Sequence, residues 1–182
     1  DDRWPERREV MRHIGAQLLQ VPFLKPNVVE LCCGAGVLAE FLLRESLRIT
    51  YRGLDASQSL LDFTGERLSV FEERIVGLHA VDLNGDWEDL LPDPVHAIVS
   101  MQSLHDVGDE VAVDRVYGLA KNALTRGGLF LNADLSTPEK PGRMPAERHL
   151  ALLDAHGFEH VSCTLEIGSF VCVVGFRGPL DL

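Results

Sequence analysis

The chain has 182 residues, 46% of them hydrophobic and 25% charged, proportions that suit one soluble globular domain with a substantial core. Its formal net charge of −11 repels phosphate backbones and disfavours a general nucleic-acid role, and no apolar run is long enough to span a bilayer. The four cysteines, Cys32, Cys33, Cys163 and Cys172, form no C-x-x-C pair, and nothing at the start of the sequence reads as a signal peptide. The expectation is a cytoplasmic protein with reduced thiols and no metal.

In chain order, residues 7–19 carry helical spacing that stops before Pro22 and Pro26. Residues 27–31 form an apolar strand, and residues 37–47 an amphipathic helix. A β-branched and aromatic strand follows over 49–54, then a helix capped by Ser57 and running to about residue 70. Strands are predicted at 75–81, 96–101 and 129–133, with a short helix over 86–91. A longer helix spans 109–124 and ends at Arg126-Gly127-Gly128. After a last helix over 145–155, strands 159–166 and 170–177 are separated by three residues only and form an antiparallel hairpin. Strands alternating with helices predict an α/β three-layer sandwich. Its seven-stranded sheet is mostly parallel, with helices on both faces and the hairpin at one end. Residues 1–26 read as an N-terminal helical cap segment and residues 27–182 as the cofactor-binding part of a single domain.

The most informative stretch is Val28-Val29-Glu30-Leu31-Cys32-Cys33-Gly34-Ala35-Gly36. A strand ends, turns over two glycines and enters a helix whose first amides attract negative charge. Gly34-Ala35-Gly36-Val37-Leu38-Ala39 also fits the G-x-G-x-x-A dinucleotide fingerprint, with Asp55 about 20 residues on. Against a nicotinamide cofactor stand two carboxylates, Glu30 and Asp82, at strand ends, together with the terminal hairpin. Glu30 is a poor neighbour for a pyrophosphate and a good one for an ammonium group.

With these segments in order, the chain resembles the class I, seven-stranded Rossmann-like methyltransferases that depend on S-adenosylmethionine. The resemblance spans residues 27–177 and rests on six segments. They are the Glu30 to Gly36 turn, Tyr51-Arg-Gly53-Leu-Asp55-Ala-Ser57, Val81-Asp82-Leu83, the stretch from His96 to His105, Leu124-Thr-Arg-Gly127-Gly128, and Ala155-His-Gly157-Phe158. It implies that Glu30 and the backbone around Gly34 and Gly36 hold the methionine end of the cofactor. Asp55 would accept from both ribose hydroxyls, with Ala56 beside the adenine and Ser57 also in the cofactor site. Asp82 would accept from the adenine amino group and Leu83 pack on its ring, while Ser100 and Met101 line the pocket near the reactive methyl. Cys32 departs from the pattern, because it stands where the family most often has its first glycine. Asp55 and Asp82 also suit plain turn-forming roles at strand ends.

The implied chemistry is methyl transfer to a small-molecule acceptor, oxygen before nitrogen or carbon, with S-adenosylhomocysteine as product. Catalysis would rest mainly on proximity and orientation, with His105 as the base where the acceptor must lose a proton. Asp106 is adjacent to His105, but neighbouring side chains diverge and no relay between them is implied. Trp4, Gln102, Arg143 and His149 are candidates for the acceptor pocket, and the basic residues near its mouth suit a carboxylate-bearing acceptor or simply a solvated helix face. No nucleic-acid or membrane partner is expected, and the chain reads as a monomer or homodimer. A nicotinamide-dependent oxidoreductase and a non-catalytic methyltransferase-like partner protein are the competing readings.

Overall fold

A computed structural model describes residues 4–137 and 139–178; the parts of the expected segments that fall on residues 1–3, 138 and 179–182 lie outside it. Seven strands form one sheet: β1 (Asn27–Leu31), β2 (Thr50–Asp55), β3 (Ile75–Ala80), β4 (Val95–Met101), β5 (Leu124–Leu135), β6 (Glu159–Ile167) and β7 (Phe170–Phe176). Their spatial order is β3-β2-β1-β4-β5-β7-β6. Strands β1 to β5 pair in parallel, and β7 is antiparallel to both β5 and β6. Among the described residues five α-helices flank the sheet: α1 (Arg7–Leu18), α2 (Val37–Glu45), α3 (Gln58–Arg67), α4 (Glu110–Ala123) and α5 (Ala146–Ala155).

The period-2 alternation of the strands divides the core into two layers. Leu129, Leu131, Ala133 and Leu135 of β5 join Val10 and Ile14 of α1 and Leu38 and Leu42 of α2 on one face. Phe130 of the same strand turns to the other face, against Val113, Val116 and Tyr117 of α4 and Leu153 of α5. Helix α1 is therefore packed on the same core as the rest of the chain.

Several boundaries differ from the expected ones, most by a single residue. Helix α2 stops at Glu45, two residues early, because Leu47 is 85% exposed and has no core to enter. The third helix gives way after Arg67 to a 3-10 turn, Ser69–Arg74. The short helix at 86–91 is a single 3-10 turn, Glu88–Leu90. Strand β5 starts at Leu124, five residues early, directly from the end of α4. The Gly127-Gly128 stretch, expected as a helix stop, is taken into the sheet. Gly127 N–H donates to the Arg177 carbonyl and Arg177 N–H to the Gly128 carbonyl, both at 2.9 Å.

The neighbours of β1 are β2, next in sequence, and β4, so connections leave β1 in opposite directions. Such a switch point opens a crevice at the carboxyl ends of the strands, where a ligand is not met by a crossover.

Candidate functional site

The floor of that crevice is built by β1. Alternation puts Glu30 on the same side as Val28, facing the layer of α1 and α2, and leaves it 3% exposed. Its Oε2 accepts a hydrogen bond of 2.6 Å from the Tyr51 hydroxyl on the neighbouring strand. Burial pushes the Glu30 carboxyl up to about 8; the Tyr51 bond and nearby Arg7 oppose that rise, and Asp55 adds to it.

Beyond Leu31 the chain reverses through left-handed backbone at Cys32 (φ 54°), Gly34 (φ 54°) and Gly36 (φ 72°). Two of these positions have no Cβ to strain; Cys32 does, and it is the residue that departs from the family pattern. Asp55, at the end of β2, ties this turn down. Its Oδ2 accepts from Gly34 N–H at 2.8 Å and its Oδ1 from Ser57 N–H at 2.9 Å. Thr64 of α3 donates to the Gly34 carbonyl at 2.7 Å, and a Cβ on Gly36 would meet the Thr64 methyl at 2.8 Å. A Cβ on Gly34 would meet nothing within 4 Å, so that face of the turn opens on the cleft.

The cleft has a volume of about 810 Å³. Glu30, Cys32, Gly34, Asp55 and Ala56 line one part of it, and Asp82, Leu83 and Asn84 after β3 line the next. Met101 at the end of β4 and Gln102, Ser103, Asp106 and Val107 after it line a further part, together with Arg7 at the start of α1 and Trp4 just before it. Asp82 Oδ1 accepts from Asn84 N–H at 2.9 Å in a tight turn, and the Asn84 amide donates to the Val107 carbonyl at 2.9 Å. The structure thus gathers Trp4, Glu30, Cys32, Gly34, Asp55, Ala56, Asp82, Leu83, Met101 and Gln102 around one space. Among the described residues no group of three or more His, Cys, Asp or Glu is arranged to hold a metal ion.

Other expected site residues lie away from the cleft surface. Gly36 sits behind the turn, where its missing side chain makes room for Thr64. Ser57 caps α3, accepting from Leu60 N–H at 3.4 Å. Ser100 is fully buried and its hydroxyl pairs with that of Ser103 at 2.9 Å. Arg143 bonds Thr137 and pairs with Glu139 on the loop before α5. His149, in α5, is fully buried in the opposite layer. Its Nδ1 meets the Tyr117 hydroxyl at 2.7 Å, and burial lowers its pKa. The α5 pattern has one apolar face, and His149 falls on it.

His105 lies on a 3-10 turn, Leu104–Asp106, and is 5% exposed. Its ring Nδ1 is 2.5 Å from Asp134 Oδ1, and its backbone N–H donates to Asp134 Oδ2 at 2.9 Å. Its Nε2 is 3.5 Å from Asp106 Oδ2, so the two neighbours do approach each other, and it is Asp106 that lines the cleft. Asp106 also pairs with Lys140. Although burial alone would raise its pKa, the Lys140 bond, His105 and Arg143 together hold it below the usual carboxylate range. Two functional partners were missed by sequence reasoning: Tyr51, which holds Glu30, and Asp134, which holds His105. The signal for Asp134 was a carboxylate closing an apolar strand, as at Glu30 and Asp55.

The set of acceptors suits a ligand that carries a cationic amine, vicinal hydroxyls and an amino-bearing ring. Three acids, Glu30, Asp55 and Asp82, sit at the ends of three adjacent strands.

No protein-family model and no curated protein matches the sequence. Solved structures do match the fold. The apo S-adenosylmethionine-dependent methyltransferase SibL superposes with a TM-score of 0.73 at 19% identity, over 95% of this chain and 57% of that one. An O-methyltransferase family protein from Burkholderia thailandensis gives 0.73 at 16% identity, over 93% of this chain and 56% of that one. A S-adenosylmethionine-dependent methyltransferase from Clostridium acetobutylicum gives 0.72 at 12% identity, over 93% of this chain and 91% of that one. The chain thus spans a little over half the length of the first two and nearly all of the third. An all-parallel dinucleotide fold lacks the antiparallel β7 inserted between β5 and β6. The chain has the fold of the class I S-adenosylmethionine-dependent methyltransferases.

Proposed function

We propose that the protein is an S-adenosylmethionine-dependent methyltransferase acting on a small molecule, with oxygen as the favoured acceptor atom. The carrying observation is the set of three acids at the carboxyl ends of β1, β2 and β3, lining one cleft beside the glycine turn. Glu30 receives the ammonium of the cofactor. Asp55 receives the ribose hydroxyls: each of its oxygens spends one lone pair on a backbone amide and keeps another for a ligand. Asp82 and Leu83 hold the adenine. Solved structures of O-methyltransferases and of carbon methyltransferases share this fold alike, so the choice of oxygen rests on the labelled-transfer test below.

When bound, the cofactor supplies a methyl group already activated on a sulfonium. The residues of this chain then have to hold, orient and keep out water, which accounts for much of the rate of such a displacement. Met101, Gln102, Ser103 and Asp106 line the side where an acceptor enters, under Trp4 and Arg7. His105 lies behind the cleft wall and serves an acceptor that must lose a proton through Asp106, which lines the cleft. Asp134 fixes its Nδ1 as the donor nitrogen and turns Nε2 toward Asp106 at the cleft wall.

Transfer of a labelled methyl group from S-adenosylmethionine to a panel of hydroxylated, amino and carbon-acid compounds tests the reading. The expected result is label in a hydroxylated acceptor. Cofactor binding without transfer to any compound would make the protein a non-catalytic relative. Full turnover by His105→Ala would remove the base from the account.

A further inference from the structure

We propose that Glu30 stands in the ligand-free cleft as a neutral acid bonded to Tyr51 and releases its proton to solvent when an alkylammonium group settles against it, so that binding of the amino-acid end of the ligand is proton-linked. The inference rests on the reading of the cleft as an S-adenosylmethionine site and adds a protonation step to it.

The geometry comes first. Glu30 occupies an inward position of a central strand, where alternation would otherwise place an apolar side chain such as its neighbour Val28. It is 3% exposed. Among the described residues its hydrogen-bond donor is neutral: the Tyr51 hydroxyl at 2.6 Å. That hydroxyl is lodged beside the Cys33 thiol over Gly53, where a Cβ would lie 3.0 Å from the Tyr51 oxygen and 2.8 Å from the Cys33 sulfur. A desolvated carboxyl in such a setting keeps its proton.

The other groups around Glu30 do not supply the missing charge. Tyr51 on β2 and the thiols of Cys32 and Cys33 in the turn are all pushed upward by burial and stay neutral. Asp55 at the end of β2 opposes ionisation, and Arg7 of α1 favours it without overcoming burial. From β4 the facing residue is Val99, which does not titrate. The balance places the carboxyl near 8. When an ammonium arrives, the carboxyl O–H bond breaks, its proton passes to the buffer, and the new carboxylate accepts from the ammonium N–H groups. A ligand lacking the amine leaves Glu30 protonated and releases nothing.

The test is calorimetric titration of the chain with S-adenosylhomocysteine near neutral pH in phosphate and in Tris, whose ionisation enthalpies differ. The dependence of the apparent enthalpy on the buffer counts the protons released. Wild type should release about one proton more than Glu30→Gln, and its affinity should climb by up to tenfold per pH unit below about 8 and then flatten. The ligand's own amine titrates in both proteins and cancels in the difference. Tyr51→Phe should still release the proton, in a window moved to higher pH. Should Glu30→Gln not bind, infrared difference spectra of wild type replace it, with a protonated-carboxyl carbonyl band expected to vanish on adding the ligand. Equal proton counts, or no such band, overturn the proposal. Failure of wild type to bind S-adenosylhomocysteine overturns the cofactor reading beneath it.

Discussion

Cys32 (φ 54°) is the one left-handed position of the turn that carries a side chain. For a residue with a Cβ this conformation costs about 1–2 kcal/mol, while glycine in its place costs about 0.5–1 kcal/mol in unfolded-chain entropy. Cys32→Gly should therefore leave the urea midpoint close to wild type, and Cys32→Val, branched at Cβ, should lower stability by about 1–2 kcal/mol. Matching losses in both variants would show that the backbone is not the issue. Asp55 has two duties in one carboxylate, since it holds the amides of Gly34 and Ser57 and faces the cleft. Asp55→Ala should cost about 2 kcal/mol of folding stability for the two charge-assisted bonds, and weaken S-adenosylhomocysteine binding by more than about tenfold in calorimetry. Wild-type affinity in that variant would leave Asp55 with its turn-forming role alone.

At the scale of elements, the contact between α2 and α3 fixes where the turn lies. Gly36→Ala puts a Cβ 2.8 Å from the Thr64 methyl and forces alanine to φ 72°, so about 1–3 kcal/mol of stability should be lost. Thr64→Ser removes that methyl, and in a double-mutant cycle it should recover part of the loss; strict additivity would place the strain in the backbone only. Much of this layout was legible in the sequence, because each strand and helix has its own period. The strands and main helices, and the hairpin formed by β6 and β7, lie where apolar alternation and turn residues put them. The boundaries at Glu45 and Leu124 were not legible, since they depend on what the neighbouring strand or solvent offers. The same holds inside the site. Glu30, Asp55 and Asp82 stand out as acids at strand ends. Tyr51 and Asp134 act on partners 21 and 29 residues away across the sheet, and no local pattern announces such a pair. His149 fell on the wrong side of the molecule because basic character in a loop-to-helix stretch says nothing about which face the helix buries.

For the whole molecule, Glu30 ties stability to pH with a sign opposite to that of most acids. Its carboxyl rises from the ordinary 4.5 to about 8 on folding, so below 4.5 both folded and unfolded chains hold the proton. Between those values the unfolded chain ionises first, and stability falls by up to about 1.4 kcal/mol per pH unit before levelling above 8. Urea midpoints across that range should slope downward for wild type and flatten in Glu30→Gln; identical slopes would mean that Glu30 ionises in the fold as it does in water. Asp82 beside the cleft and the antiparallel β7 at the sheet's far end separate the two cofactor classes that the glycine turn alone would admit. A side-by-side titration of the chain with S-adenosylhomocysteine and with NADH, followed by calorimetry and by the fluorescence of Trp4 at the cleft, tests that separation most directly. One S-adenosylhomocysteine should bind per chain and NADH should not; saturable NADH binding with no response to S-adenosylhomocysteine would contradict the account.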